Sequence, residues 1–296
     1  MRVVSLVPPA TEIICRLGLA DLLVGVSHLC DFPAEVVASL PRVTRSAIPT
    51  DLLATELDWV LSTRLRRGDS LFTLDEAALI SLAPDLIITQ DLCDPGVASF
   101  DDVCVLAKRL PGNSQIVSLT MPDCDDTDYD VMTIAEAIGY PERGRRLRDQ
   151  IRTRLARVQM TIAGRPRPKV VTLEWLDPPY TAGRLAAEIV RMAGGNELLS
   201  RADGHSVPVS WQQIHAVQPD VIVLLLAGHS AQAAERCWKT CQLPREWRAI
   251  PAIREQRVYT LDARPLSLRP SARMVDRIEQ MAYLLHPTCF KEQCHA

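Results

Sequence analysis

The stretch PERGRRLRDQIRTRLARVQMTI, from Pro141 to Ile162, decides how the rest of the chain is interpreted. Its apolar residues recur at spacings of 4, 4, 3 and 4, which places them on one stripe of a helix. They are Leu147, Ile151, Leu155, Val158 and Ile162. Pro141 suits a helix start, and Gly164 and Pro166 suit its end. Such a helix is roughly 33 Å long, which predicts a backbone helix that braces two lobes rather than a flexible linker.

Short apolar runs rich in Val and Ile lie on both sides of this helix and alternate with helical patterns. Strands covered on both faces have this composition. The predicted strands are Arg2–Val7, Leu23–Ser27, Asp85–Thr89, Gln115–Leu119, Lys169–Trp175, Asp220–Leu226 and Arg257–Leu261. The other predicted helices are Thr11–Leu17, Asp51–Arg66, Leu74–Leu82, Ser99–Leu110, Arg184–Ala193, Trp211–Val217 and Ser271–Leu285. The alternation predicts an α/β protein with two Rossmann-like lobes and mostly parallel sheets.

The two halves of the chain repeat the same order of features. LISLAPDLIITQ (Leu79–Gln90) echoes IHAVQPDVIVLL (Ile214–Leu225), since each has a short helix, a Pro, an Asp and a buried strand. Each half also opens with a strand that runs into a proline-containing turn. We therefore predict an N-terminal lobe over residues 1–125, a linker with the long helix over 126–166, and a C-terminal lobe over 167–296.

Composition excludes several classes of protein. The chain has 296 residues, 47% of them hydrophobic, and a formal net charge of -3, which argues against nucleic-acid binding. No apolar run approaches the ~18 residues of a membrane span. The start, MRVVSLVPPATE, lacks the pattern of an export signal, which predicts a cytoplasmic location, or a periplasmic one if a signal has been removed. Nine cysteines without zinc-site or disulfide-framework spacing predict reduced thiols. Known catalytic motifs are missing from the sequence, so we expect a protein that is not an enzyme.

One strand ends in an unusual way. KVVTLEW is a buried-strand pattern that stops at Asp177-Pro178-Pro179, followed by Tyr180. Open α/β sheets bind ligands at the carboxyl ends of their strands. Aromatic and polar side chains at such an end therefore predict a ligand site.

The sequence resembles the helical-backbone substrate-binding proteins of the vitamin B12 and siderophore group. RVVSLVPPATEIICRLGLADLLVGVSHLCDFP (Arg2–Pro33) is similar to that family's first strand, turn, helix and second strand. LAPDLIIT, LEWLDPPYTAG, AGGNELLS and VPVSWQQI follow in the family's order and look most like the vitamin B12-binding branch. TQDLC and the WLDPPYTAG form resemble a subset of that family without export signals.

The resemblance implies a ligand held between the lobes by loops at strand ends. Together with residue type and position, it predicts that binding involves Pro9, Thr11, Glu12, Arg45, Asp91, Trp175, Asp177, Pro179, Tyr180, Trp211 and Arg264. Aromatic faces would stack on a flat corrinoid, and polar groups would orient its arms. Alternatives stay open, because the two tryptophans suit a core, Thr11 suits a helix cap, and Asp177 suits a turn.

Some positions depart from the family. Its exported members dock on a membrane transporter through one surface glutamate per lobe, and Ala77 and Val217 fall near those places, with Glu76 next to the first. Transporter docking is therefore doubtful. The segment from Ala47 to Phe72 is an insertion that replaces the loop bearing the first lobe's tryptophan.

A metal site is a second hypothesis. His28 and Cys30 follow one strand, and Asp91 and Cys93 follow another; these residue types are common metal ligands. Parallel strands end at the same edge, so these groups could meet, or His28 could bind the metal of a corrinoid or haem axially. A buried thiol beside a polar loop is the structural alternative.

The sequence thus favours a binding protein for a cobalamin-like corrinoid or a related metal-chelate or tetrapyrrole ligand. The first alternative is a metal or metal-cluster protein, or a cofactor-assembly enzyme, that uses His28, Cys30 and Cys93. The second is the substrate-binding component of an ABC transporter for B12 or siderophores. The expected partner is a small molecule, with neither nucleic acid nor membrane insertion.

Overall fold

The computed structural model of the chain describes residues 1–48, 60, 63–64, 67, 72–90, 100–119, 127–200, 206–241, 245–263 and 271–290. The chain divides into two compact units. Unit 1 comprises Met1–Asp149 and Pro270–Ala272, and unit 2 comprises Gln150–Arg269 and Arg273–Ala296. The division after Asp149 falls inside the long helix.

Strands and helices alternate along the chain. The strands are β1 Val3–Ser5, β2 Leu23–Val26, β3 Thr44–Ser46, β4 Phe72–Leu74, β5 Leu86–Gln90, β6 Gln115–Leu119, β7 Lys169–Leu176, β8 Pro179–Thr181, β9 Asn196–Glu197, β10 Val221–Leu224 and β11 Val258–Thr260. The helices are α1 Pro8–Arg16, α2 Ala34–Val37, α3 Glu76–Leu82, α4 Phe100–Ala107, α5 Thr127–Ile138, α6 Pro141–Ile162, α7 Arg184–Met192, α8 Trp211–Val217, α9 Ala231–Thr240, α10 Pro251–Arg254 and α11 Met274–Leu285. Short 3-10 turns occupy Ala20–Leu22, Arg245–Ala249 and Pro287–Cys289.

Unit 1 is built on a four-stranded parallel sheet in the order β2-β1-β5-β6. All residues of the inner strands β1 and β5 are buried, as expected for strands covered on both faces. A Cβ on Gly25 of β2 would lie 2.7 Å from Leu82 Cδ1, so glycine lets α3 pack close to this strand. β3 and β4 form a separate two-stranded antiparallel sheet.

Unit 2 has a second sheet in the order β11-β10-β7-β8, with β9 on β7. The pairs between β7, β9, β10 and β11 are parallel, and only β8 runs antiparallel, because it returns from β7 through a tight turn. Its core cluster includes Ile222, Leu224 and the fully buried Trp247. The carboxyl ends of β7, β10 and β11 therefore lie at one edge of this sheet.

Helix α6 has the bounds that the sequence predicts. Three of the five predicted stripe residues, Leu147, Ile151 and Val158, are buried. In unit 1, a Cβ on Gly144 would lie 2.5 Å from the Cβ of Ala135, so α6 packs closely on α5 there. In unit 2, the guanidinium of Arg154 bonds the carboxylate of Glu279 on α11.

The predicted fold class is confirmed, since both main sheets are parallel except for β8. Helix α1 begins at Pro8 and not at Thr11, because proline is accommodated at the first helical positions. The β3–β4 pair and β8 are absent from the predicted strands, because three-residue strands are too short for a periodic signal. Most of the predicted helix 51–66 lies outside the described residues. No described helix combines the length and apolarity that crossing a bilayer requires.

Candidate ligand-binding site

The end of β7 forms a tight hairpin with β8. Leu176 pairs with Pro179, and Trp175 pairs with Tyr180, so the turn consists of Asp177 and Pro178. The peptide bond between these two residues is cis. Asp177 and Pro178 are exposed, whereas Pro179 is buried. The DPP motif therefore presents a carboxylate at the carboxyl end of the unit 2 sheet.

Trp175 is the exposed aromatic residue of this hairpin. Its side chain is 37% exposed, and its Nε1 donates a hydrogen bond of 3.1 Å to the carbonyl oxygen of Asp177. Tyr180 is its cross-strand partner and is half-buried. Cross-strand partners project from the same face of a sheet, so an indole and a phenol are available together beside the turn.

Trp211 begins α8 close to the same hairpin. Val209, two residues earlier, donates its N–H to the carbonyl oxygen of Pro179, and Tyr180 forms a β-bridge with Pro208. The helix starts at Trp211 because Ser210 and Gln213 form a reciprocal capping box. The half-buried indole of Trp211 then packs edge-on against Trp247.

Five of the predicted binding residues belong to the described part of unit 2, and the structure brings them together. They are Trp175, Asp177, Pro179, Tyr180 and Trp211. Arg264 lies outside the described residues. Their role in binding stays a prediction. Trp211 also serves the core, since it packs against the unit 2 cluster.

Three polar groups that were not predicted from the sequence lie at the same edge. Glu174, half-buried, precedes Trp175, and burial raises its pKa. His229 follows β10, and its Nδ1 lies 2.8 Å from the carbonyl oxygen of Ala227. Asp262 follows β11 and is half-buried. Glu174 lies near the carboxyl end of β7, and His229 and Asp262 follow β10 and β11. Nearness to the carboxyl end of a predicted strand was the signal that could have identified them.

In unit 1, Pro9, Thr11 and Glu12 are buried. Thr11 Oγ1 donates to Ser5 Oγ at 2.8 Å and lies 3.1 Å from Cys30 Sγ. The prediction that Thr11 caps the helix is wrong, because it lies inside α1, whose N-cap Val7 makes no side-chain cap.

The start of α1 offers few backbone N–H donors. Pro8 and Pro9 have no N–H group, and the N–H groups of Ala10 and Thr11 both donate to the carbonyl oxygen of Val7. These four residues therefore have no spare backbone donor for a polar ligand group.

His28 and Cys30 have separate surroundings in unit 1. Nδ1 of His28 lies 2.6 Å from Thr44 Oγ1, whereas Cys30 is buried against Val26 and Val37. Asp91 and Cys93, the other proposed ligands, lie outside the described residues. Within the described part, no group of three or more His, Cys, Asp or Glu side chains is placed to hold a metal ion. The metal hypothesis is untested.

Arg45 has a protein partner. Its guanidinium lies 3.0 Å from Asp75 Oδ2, and Asp75 Oδ1 accepts a hydrogen bond from Ala78 at the start of α3. Arg45 is nevertheless strongly exposed, so its use by an acidic ligand stays a prediction.

No disulfide joins the six cysteines in the described residues.

Comparisons with known proteins agree with this architecture. The family model described as periplasmic binding protein matches residues 3–265. A vitamin B12-binding protein of Vibrio cholerae is 25% identical over 288 residues, which cover 96% of this chain and 88% of that protein. YvrC of Bacillus subtilis, an uncharacterized ABC transporter substrate-binding lipoprotein, is 26% identical over 302 residues, with 98% and 82% covered.

A solved structure shows the same fold. The periplasmic heme-binding protein RhuT from Roseiflexus sp. RS-1, in apo form, has a TM-score of 0.69 at 22% identity, with 97% of this chain and 98% of that chain covered. The resemblance found in the sequence is confirmed by the family match. The predicted cytoplasmic location is wrong, because the matching family is periplasmic and a relative that covers nearly the whole chain is a lipoprotein.

Proposed function

Because the chain belongs to the periplasmic binding protein family, we propose that it binds a corrinoid of the vitamin B12 type outside the cytoplasm. The observation that carries the proposal is the exposed indole of Trp175 on the hairpin that ends β7. Large aromatic surfaces are usually buried, so an exposed one at a strand end favours ligand contact. The Vibrio cholerae relative, which is named for binding vitamin B12, supports the same ligand class.

The chemistry of the hairpin suits a corrinoid. A corrin ring is broad and apolar on its faces, and its rim carries amide arms. Trp175 and Tyr180 supply aromatic faces for stacking, while the exposed Asp177 supplies an acceptor for amide N–H groups. Pro178 in the turn and Pro179 directly after it restrict the backbone, which lowers the ordering cost of binding.

Delivery to an ABC transporter is the second part of the proposal. YvrC, named as an ABC transporter substrate-binding lipoprotein, supports it. On α3, Glu76 is exposed and pairs with Arg109 at 3.0 Å, so a carboxylate is available there near the position of the family's first docking glutamate. On α8, the corresponding residue is the half-buried Val217, which offers no charge.

Titration of the purified protein with hydroxocobalamin tests the ligand. We expect saturable quenching of tryptophan fluorescence and a matching calorimetric isotherm at micromolar ligand. Dicyanocobinamide, which lacks the nucleotide arm, shows whether the ring alone suffices. Absence of binding in both measurements contradicts the corrinoid proposal. Elemental analysis of protein purified under anaerobic conditions tests the metal hypothesis independently.

Cellular uptake tests the delivery step. Cells that lack the gene should take up less labelled cobalamin at nanomolar concentration than cells in which it is restored. If the purified protein binds cobalamin but uptake by the two strains is the same, the proposed role in transport is contradicted and the proposed binding is not.

A further inference from the structure

The hairpin at the end of β7 contains a bulge. Leu173 pairs with Thr181 and Trp175 pairs with Tyr180, so β7 has one residue, Glu174, more than its partner strand. A bulge changes the direction of nearby side chains, and bulges are common beside functional sites. Glu174 therefore owes its orientation to an irregularity at the strand end proposed for ligand binding.

The carboxyl group of Glu174 has few partners. The hydroxyl of Ser206 lies beside it and lowers the pKa of Glu174, but the larger effect of burial raises that pKa. The same hydroxyl donates to the carbonyl oxygen of Thr181 at 2.8 Å. A hydroxyl has one proton to donate, so it serves one of these acceptors at a time. In the described part of the chain, no cation forms a salt bridge with Glu174.

The surroundings of Glu174 belong to the candidate site. The next residue, Trp175, carries the exposed indole. The carbonyl oxygen of Glu174 accepts a hydrogen bond from the N–H of Ala227, in the loop after β10. Half-buried carboxylates are stabilised by N–H donors and destabilised by a second negative charge. A ligand arm that donates hydrogen bonds and carries no charge is therefore the better match for this carboxyl group.

We propose that Glu174 is a specificity-determining residue that accepts hydrogen bonds from the amide arms of a corrinoid and disfavours ligands with carboxylate arms, such as haem. This inference rests on the proposed corrinoid function. It distinguishes two ligand classes that share a flat metal-bearing ring but differ in rim chemistry. Specificity of this kind combines attraction for one ligand with repulsion of the other.

Affinities of the wild-type protein and Glu174→Gln for hydroxocobalamin and for haemin test the proposal. The wild type should bind hydroxocobalamin more tightly than haemin. Removal of the charge should weaken the binding of hydroxocobalamin about five- to tenfold, because a charge-assisted hydrogen bond becomes a neutral one. The same change should strengthen haemin binding by a similar factor.

Glu255→Gln is the matched control, because Glu255 precedes β11 at the opposite, amino-terminal edge of the unit 2 sheet. It should leave both affinities unchanged. Circular dichroism and thermal unfolding establish that each variant is folded. If Glu174→Gln does not fold, Ser206→Ala removes the hydroxyl beside the carboxyl group and should shift the ratio of the two affinities.

The outcomes separate the two proposals. A wild type that binds hydroxocobalamin, with both ligand affinities unchanged in Glu174→Gln, overturns the role of Glu174 and leaves the proposed function standing. A wild type that prefers haemin also overturns the inference. A wild type that binds neither ligand overturns the proposed function, and the inference fails with it.

Discussion

The indole rings of Trp211 and Trp247 meet edge to face, with centroids 3.9 Å apart and planes at 77°. Trp247 lies in a 3-10 turn 36 residues beyond Trp211 and is 1% exposed, whereas Trp211 is half-buried. One ring thus belongs wholly to the core, and the other connects that core with the hairpin region. The pair gives the candidate site a rigid support.

Truncation should affect the two tryptophans unequally. We expect Trp247→Ala to lower the free energy of unfolding by about 3 to 5 kcal/mol, because it opens a cavity in the unit 2 core. Trp211→Ala should cost about 1 to 2 kcal/mol, since part of its ring is already in water. Urea denaturation measures both values, with Trp247→Phe as an intermediate control. Equal losses would mean that Trp211 is as much a core residue as its partner.

Trp175 should matter for binding and little for stability. We expect Trp175→Ala to weaken hydroxocobalamin binding about tenfold, since it removes a stacking face. Unfolding should change by less than about 1 kcal/mol, because the ring is exposed. Calorimetric titration and thermal unfolding measure the two effects. Tyr129→Ala, which removes an exposed ring on α5, should alter neither.

Glu197 should make stability depend on pH. Its carboxylate accepts hydrogen bonds from the N–H groups of Thr172, Leu199 and Ser200, yet burial raises its pKa to about 7. The unfolded group titrates near 4.5, so between these values the folded state binds more protons. Its contribution is therefore fully present below the unfolded value and is lost as pH rises through about 7.

The difference between wild type and Glu197→Gln isolates this group. We expect the free energy of unfolding of the wild type, relative to the variant, to fall by on the order of 3 kcal/mol between pH 4.5 and pH 8. His286, whose pKa burial lowers, titrates in both proteins and cancels in the difference. Urea denaturation across the pH range measures the difference in the free energy of unfolding between the two proteins. If the free energies of both change with pH in parallel, the expectation is contradicted.

Close packing of α5 on α6 should make Gly144 sensitive to substitution. Gly144→Ala places a Cβ 2.5 Å from that of Ala135 and 3.2 Å from the sulfur of Met132. We expect a loss of about 1 to 3 kcal/mol, despite the better helix propensity of alanine. Ala135→Gly should relieve the clash, so Gly144→Ala should become neutral or stabilising in that background. An additive double mutant would show that the two helices do not meet here.

Cys15 should react slowly with alkylating reagents. Burial, with the charges of Glu12 and Glu35, raises the pKa of this thiol from 9.0 to about 11. At pH 8 its thiolate fraction is then about 100-fold below that of an ordinary thiol. Mass spectrometry of the peptide after iodoacetamide treatment should show this difference between the native and the urea-unfolded protein. Comparable rates would contradict it.

Local patterns determined much of the fold. Apolar spacing, with Pro141 at the start and Gly164 and Pro166 at the end, located α6 from Pro141 to Ile162, and α8 was predicted from Trp211 to Val217, both with the observed bounds. Strand β6 was also predicted with its observed bounds, Gln115–Leu119. The apolar periods of helices and strands appear within short windows of consecutive residues. They can therefore be recognised without information about distant residues.

Only the tertiary structure decided which side chains share an environment. The sequence placed aromatic and acidic residues at the end of β7, but it did not show that Trp211 packs on Trp247 or that Glu174 lies in a bulge. Nor did it show that the Thr11 hydroxyl contacts Ser5 and Cys30. Such contacts join residues that are distant in the chain, and their formation depends on how whole sheets and helices pack, which no local period encodes.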